Sequence, residues 1–449
     1  MTRFPLGFWL LLTVGSVWAH DDAYYSFDDF VKEYGKIYNS DEERQMRKEI
    51  FEANFLTIQD HNNNNKRDEY SHVLAVNEWA DRRIPEELPL GLHKKAVVAE
   101  DDPLNLMFIT RPTKKQSTDA AEAFYQDWLK NTVVPVSELP KEVDWRSHNP
   151  KVTTHVKNQG FCGSCWAVAS TEVLESHIAL KTGKLFKLSP QELVSCVQNP
   201  LHCGGGGGCQ GATYELAFEY VMEHGMVPEK EFPYRSGTGF NVKCSLVNGT
   251  LEQESSSLLR RPFDDNTHDN DYIDGAVATI DGYINFPTNN YTELMNAVAT
   301  LGPIGVTTAA SRWSFYRGGV YEVKDHQTKG ATDVDHAVVL EGYGIDQESQ
   351  KPFWLVRNSW GASWGEDGYI RLKRVDPSTL PDFDEDDCGI DTDPSDGAAC
   401  TKDKDGHTIK PKPVKVCGTS AILYDTFVPV GGRLISNKNK KESRKVQVS

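Results

Sequence analysis

Gln159-Gly160-Phe161-Cys162-Gly163-Ser164-Cys165-Trp166-Ala167 leads into an apolar run, Trp166 to Leu180, that reads as a buried helix. Gly163 and Ser164 supply the turn ahead of it, so Cys165 falls at the helix start. The free N–H groups of a first helical turn, with roughly half a positive charge of helix dipole, favour thiolate over thiol there. Two later runs hold residue types that could serve such a nucleophile. Asp335-His336-Ala337-Val338-Val339 puts a histidine at the head of an apolar strand, and Asn358-Ser359-Trp360-Gly361 with Trp364-Gly365 makes a Gly/Trp-rich turn. Imidazole can take the thiol proton and later return it to a leaving amine. A side-chain amide on the other ring nitrogen fixes tautomer and orientation without adding charge. Gln159 can donate its amide N–H to a developing oxyanion, beside the Cys165 backbone N–H. Each piece also has a plainer reading: a redox dithiol for the Cys-x-x-Cys pair, a packed histidine, a turn asparagine. The Trp after the pair, the Gln before it, the lack of a thioredoxin-like βαβ pattern and the order of the three motifs select the nucleophilic reading.

The run around Cys165 resembles the local signature of papain-like cysteine proteases. That resemblance implies an α+β, two-domain fold with a helical left domain and a β-barrel-like right domain. Cys165 and His336 would face each other across the cleft between them. It also implies that Trp360 shields the Asn358–His336 hydrogen bond and that Trp364 borders the leaving-group side. The histidine lies further along the chain than the ~130–150 residues usual for the family, and a polar insert accounts for the excess. Cys209-Gln210-Gly211-Ala212 matches the segment whose backbone hydrogen-bonds an extended substrate. Ala212 replaces a usual glycine there, which either narrows the cleft or leaves it unchanged. Asp335, next to the histidine, is counted with Gly211 and Ala212 among the substrate-binding residues. Ser420-Ala421-Ile422-Leu423-Tyr424-Asp425 aligns with the segment flooring the pocket for the second residue upstream of the cut. A carboxylate at Asp425 would pair with a substrate Arg or Lys. An alternative alignment through Cys388-Gly389-Ile390 offers Asp393, and the plainer reading leaves Asp425 exposed and without effect.

Residues 27–62 read as long helical segments. Glu43, Arg47, Phe51, Asn54, Ile58 and Asn62 recur at spacings of three and four, one face of a helix. The spacing resembles the interrupted motif in propeptides of the cathepsin L-like branch, and Asn77-Glu78-Trp79-Ala80-Asp81 resembles that branch's second propeptide motif. Trp79 stands where Phe is usual and Ala75 where Gly is usual. Glu43 and Arg47 are also placed to form an i,i+4 ion pair. Residues 93–138 form a mixed linker in which such propeptides cross the cleft in reverse, with a short helix expected over Asp119 to Asn131. The organisation expected is a signal over 1–19, a propeptide over 20–138 (helical prodomain 27–92 plus linker) and a peptidase domain over 139–449. Polar inserts at 252–275 and 376–415 read as solvated loops.

The chain has 449 residues, 39% hydrophobic and 10% aromatic, enough for sizeable cores. A net charge of -17 argues against nucleic-acid or anionic-membrane partners. Phe4 to Trp18 is apolar behind Arg3 and ends at a small residue, Ala19. That pattern is a secretory signal, too short to span a bilayer, and it directs the protein to a lysosome-like vacuole or the exterior. With Cys165 as nucleophile, the 9 cysteines leave an even set for disulfides. The resemblance pairs Cys162 with Cys209 and Cys196 with Cys244. Cys203, Cys388, Cys400 and Cys417 remain, with their pairing open. The family's third bridge has no cysteine between Cys244 and His336 to use. Asn248 and Asn290 head glycosylation sequons. Gly204 to Gly208 lacks the Lys-Ser/Thr of a phosphate loop and reads as a flexible cleft edge. Asp403-Lys404-Asp405-Gly406 is like a calcium loop, but Thr401 and Lys412 stand where acids are required. No metal or organic cofactor is implied. The expected function is a monomeric cysteine endopeptidase zymogen, acting on proteins and peptides through an acyl-enzyme thioester, inhibited by its own propeptide and activated by acid as propeptide carboxylates protonate. A ligase using the same chemistry and a non-catalytic scaffold are the rival readings.

Overall fold

The computed structural model describes residues 25–65, 72–91, 118–199, 202–246, 272–394 and 412–435. The signal, Asn248, Cys400, the Asp403 run and most of the 252–275 insert lie outside these residues. Among the described residues no helix is long and apolar enough to cross a membrane.

Helices α1 (Phe27–Glu33) and α2 (Asp41–Asn65) open the chain, followed by strand β1 (His72–Leu74). Ser26 and Asp29 form a reciprocal capping box on α1. On α2 the recurring face does the docking. Phe51 and Ile58 are buried, Asn54 donates to the carbonyls of Ala80 and Arg82 at 2.9 Å, and Asn62 exchanges two hydrogen bonds with Leu74. In place of the expected Glu43–Arg47 pair, each residue takes another partner. Arg47 crosses to Glu87 and to the carbonyl of Asp81, while Glu43 accepts from Asn39. Trp79 is buried with its ring edge-on to Phe161, 5.7 Å between centroids. Helix α3 (Asp119–Asn131), capped by Thr118, packs away from α1 and α2. Trp128 lies 5.6 Å from Phe286 and donates to Thr300 Oγ1 at 3.0 Å, and the Asn296 amide satisfies both backbone groups of Val134.

Past β2 (Val143–Asp144), the helical lobe consists of α4 (Cys165–Thr182), α5 (Pro190–Cys196) and α6 (Tyr214–His224). Every residue of α4 from Cys165 to Ala179 is buried, and polar members among them find internal partners: Glu172 meets Arg357, Glu175 meets Lys157 and His177 meets the Pro303 carbonyl. The helix stops at Gly183, whose φ of 72° suits glycine. The second lobe contains β3 (Ala278–Thr279), β4 (Gly282–Asn285), α7 (Tyr291–Thr300), β5 (Ile304–Thr308), β6 (Tyr316–Tyr321), α8 (Lys329–Thr332), β7 (His336–Ile345), β8 (Pro352–Arg357) and β9 (Tyr369–Lys373). It ends with α9 (Phe383–Asp386), β10 (Cys388–Asp391), β11 (Val414–Cys417), β12 (Thr426–Val430) and β13 (Arg433–Leu434). The main sheet runs β1-β6-β9-β8-β7-β5-β12-β4, with β2 on β7. Its end strands, β1 and β4, do not pair, so this α+β fold carries an open sheet rather than a closed barrel. The prodomain itself supplies the strand at one edge, His72 opposite Gly319.

Three further expectations meet the structure here. The ends of the 376–415 insert are not solvated loop: β10 and β11 pair antiparallel, with Cys388 opposite Cys417 and joined to it by a disulfide. Cys162–Cys209 and Cys196–Cys244 are bridged, and Cys203 is disulfide-bonded as well. Gly204 to Gly208 is a tight, hydrogen-bonded turn and not a flexible edge. Gly206 and Gly207 donate to the carbonyls of Gln210 and Gly211, and a Cβ on Gly205 would lie 2.0 Å from Gln210 O. The glycines are there for close backbone approach.

Arg357, the last residue of β8, is wholly buried between Glu172 of α4 (2.8 Å) and Glu341 of β7 (3.1 Å). Tyr369 donates to Glu341 at 2.8 Å. Removing one member of a buried ion group strands the others in low dielectric. Arg357→Met is therefore expected to cost about 3–5 kcal/mol, read from denaturant unfolding of the full-length chain. A loss under ~1 kcal/mol would show that the cluster behaves like a surface pair.

Candidate active site

Three element ends converge at the lobe seam. Cys165 opens α4, His336 opens β7, and Asn358 follows β8. The backbone N–H of Ala337 donates to Cys165 Sγ at 3.3 Å, which locks the start of β7 onto the start of α4. His336 Nε2 is 2.8 Å from Asn358 Oδ1, and His336 Nδ1 has no hydrogen-bond partner. The amide therefore fixes one ring nitrogen and leaves the other for proton exchange. Asn358 Oδ1 also accepts the Ser359 N–H at 2.8 Å. Trp360 covers the imidazole at 5.1 Å between centroids, and Trp364 meets Trp360 edge-on at 5.1 Å. Trp313, absent from the sequence reading, closes a second side with its ring edge-on at 6.3 Å. Its indole N–H donates to Ser420 Oγ at 3.1 Å. No motif surrounds Trp313, so nothing local marks it.

Gln159 is buried and held from both ends. Its Oε1 accepts from Ser359 Oγ at 2.5 Å, and its carbonyl accepts from Tyr234 OH at 2.8 Å. Its Nε2 donates to Cys162 O at 2.8 Å and to Pro89 O of the prodomain at 2.6 Å. Leu88 to Gly91 thus lie over the site, and residues 93–117 of the linker expected to cross the cleft are outside the described residues. Gly91 is pressed against the site: a Cβ on it would lie 2.5 Å from Cys165 Sγ, and a Cβ on Gly211 would lie 2.1 Å from Gly91 O. Only two glycines facing each other permit that approach. Leu88-Pro89-Leu90-Gly91, a charge-free run after Glu86-Glu87, was the signal available for it.

Under this cover the proton distribution reverses the expectation of a thiolate. Burial pushes the Cys165 thiol up to about 12, against the N–H groups of Ala337, Gly91 and Trp166 that would stabilise the anion. Burial likewise pushes His336 down to about 4, against its bond to Asn358. The helix terminus acts as foreseen, but desolvation outweighs it. In this covered state burial favours a neutral thiol beside a neutral imidazole.

The remaining candidates separate. Ala212 is fully buried. The Asp335 carboxylate accepts the Ala310 N–H at 2.7 Å. Asp425, half-buried just before β12, accepts from Asn285 Nδ2 at 2.8 Å and Thr307 Oγ1 at 3.3 Å. Asp393 instead follows β10, its N–H on Asp391. Asn290 caps α7 and spends its amide nitrogen on Glu293 at 2.6 Å.

Comparison with known proteins agrees with this geometry. Residues 139–398 match the papain family cysteine protease model, and residues 27–85 match the cathepsin propeptide inhibitor domain. A Caenorhabditis elegans protein described as cathepsin L-like is 32% identical over 79% of this chain and 88% of its own length. Procathepsin L of Mus musculus is 32% identical over 76% and 84%. Among solved structures, digestive procathepsin L2 from Tenebrio molitor larval midgut superposes with a TM-score of 0.59 at 26% identity, covering 90% of this chain and 98% of that one. A recombinant stem bromelain precursor gives 0.57 at 26%, covering 90% and 97%.

Burial raises the Cys165 thiol and so disfavours the reactive thiolate while the site is covered. Alkylation of Cys165 by iodoacetamide in the intact chain is expected to be at least ~100-fold slower than after prodomain removal. Gly91→Ala, whose methyl has no room, should accelerate it. Equal rates for intact and processed protein would show that the crossing segment does not seal the thiol.

Proposed function

Because the chain belongs to the papain family of cysteine proteases, as a cathepsin L-like zymogen, we propose that Cys165, His336 and Asn358 hydrolyse internal peptide bonds through an acyl-enzyme thioester. The observation that carries this reading is the Gln159 Nε2–Pro89 O hydrogen bond with Gly91 against Cys165 Sγ. A peptide main chain already lies with the Pro89 carbonyl on the oxyanion donor and Gly91, two residues on, against the nucleophile. Once substrate replaces it, Cys165 Sγ attacks the scissile carbonyl carbon and His336 Nδ1 takes the thiol proton. The carbonyl oxygen, now an oxyanion, is held by Gln159 Nε2 and the Cys165 N–H. Collapse of this intermediate breaks the C–N bond, and His336 returns the proton to the departing amine. Water, deprotonated by His336, then opens the thioester and regenerates the thiol. Asn358 keeps the ring nitrogens in register, and Trp360 keeps water from that bond.

Residues 20–138 act as the inhibitor and 139–449 as the peptidase, a monomer following the secretory route to a lysosome-like vacuole or the exterior. Gly211 and Ala212 align the substrate backbone, Trp364 borders the leaving-group side, and Asp425 floors the pocket that admits Arg.

Acidification of the full-length chain should remove its N-terminal part and release hydrolysis of fluorogenic peptides, with none in Cys165→Ala. Processed but inactive wild-type protein would refute the reading. The pH at which this occurs follows from the docked groups. Burial, then His61, pushes His72 on β1 down to about 3. Its folded value is depressed, so His72 supports docking fully above its ordinary 6.5 and ever less as pH falls toward 3. Burial would raise Glu87, but its bonds and charge partner Arg47 hold it below its ordinary value, so its contribution too fades in acid. His72→Gln is expected to move half-maximal processing to lower pH by ~0.5–1 unit. An unshifted profile would remove His72 from the trigger.

A further inference from the structure

Helix α3 and the turn after it stand ahead of the peptidase in the chain, yet their contacts belong to the sheet lobe. Ala121, Tyr125, Trp128 and Leu129 recur at helical spacing on one face of α3. Trp128 is 4% exposed, its ring 5.6 Å from Phe286 and its indole N–H on Thr300 Oγ1. Tyr125 donates to Glu293 at 2.6 Å. Past the helix, the wholly buried Asn296 of α7 accepts the Val134 N–H and donates to the Val134 carbonyl, both at 2.9 Å. The receiving lobe is shaped for this helix. A Cβ on Gly282 of β4, the end strand of the main sheet, would lie 2.7 Å from Thr118 Oγ1 and 2.8 Å from Ala121 Cβ. A glycine inside a strand marks such a close approach.

The chain stays anchored from there into the peptidase. Val136–Glu138 forms a 3-10 turn, closed by the Leu139 N–H on Val136 O. Pro140 O accepts from Tyr343 OH at 3.0 Å, and the Trp145 indole donates to Val298 O at 2.8 Å. Proteolysis needs a locally open, weakly held segment. The boundary expected at Leu139 offers instead a closed turn between two anchored stretches. Release of α3 would also uncover Phe286 and take from Asn296 both of its Val134 partners.

We propose that the processed peptidase keeps residues 118–138 as an N-terminal element, so that only the part ahead of Thr118 leaves as inhibitor. The inference rests on the zymogen reading above and moves its boundary. Helices α1 and α2, strand β1 and the run over Cys165 inhibit, whereas α3 completes the packing of the sheet lobe against β4 and α7. Trp128 and Asn296 are the residues that hold it there.

The test acidifies the full-length chain, labels the active fragment with a thiol-directed epoxide and reads its N-terminus by intact mass and end sequencing. The labelled fragment is expected to begin ahead of Thr118, and one that begins within α3 or near Leu139 overturns the proposal. A wild-type chain that stays intact bears on the peptidase reading alone. Limited pepsin digestion of the Cys165→Ala chain then decides: a resistant core beginning ahead of Thr118 supports the proposal, and one beginning near Leu139 overturns it. Trp128→Ala should lower the Tm of the processed enzyme by roughly 5–10 °C. Phe124→Ala, on the exposed side of the same helix, should leave it unchanged. An unchanged Tm for Trp128→Ala would show that the helix has left the enzyme and overturn the proposal. If Trp128→Ala does not fold, the N-terminus of the labelled fragment decides.

Discussion

The buried Arg357 guanidinium ties together the elements on which the site depends. Its two carboxylate partners lie on α4 and β7, and its own strand ends at Asn358. The helix that begins with Cys165, the strand that begins with His336 and the turn that carries Asn358 are thus clamped through one cation. Burial pushes Glu172 up to about 7, and the nearby guanidinium works against that shift. Such a cluster gives little net stability over an apolar alternative, but any slippage of one element leaves an unpaired buried charge. Register between the lobes is what it enforces, and the Ala337 N–H on Cys165 Sγ depends on that register.

Against this rigid frame the prodomain works by desolvation as much as by occupancy. It adds an edge strand to the sheet, places Trp79 edge-on to Phe161 and lays Pro89 to Gly91 over Gln159 and Cys165. Cys165 lies beneath this cover, and its burial works against the thiolate that the helix start favours.

Local features were legible where a short-range rule governs them. Helix α3 occupies Asp119–Asn131 as its pattern requires, and Ser189 caps α5 with Pro190 in the first turn. Long-range choices were not. Arg47 had two acids within reach, Glu43 one turn away and Glu87 on a distant loop, and packing chose the distant one. A five-glycine run permits a floppy loop or a dense turn equally well, and only the neighbouring carbonyls of Gln210 and Gly211 decide for the turn. Cys388 could have joined any of three cysteines until β10 and β11 placed Cys417 opposite it.

By itself the sequence determined which chemical groups exist and in what order: a thiol at a helix start, an imidazole at a strand start, an amide in a Trp-rich turn, and a helical domain ahead of them with its own docking face. These follow from spacing, because helix and strand periodicity act over a few residues. The tertiary structure alone decided the burial that opposes the Cys165 thiolate, the second wall of the imidazole at Trp313 and the segment laid over Gln159 and Cys165. Each of these depends on distance and burial between residues far apart in the chain, and desolvation has no signature in a linear sequence.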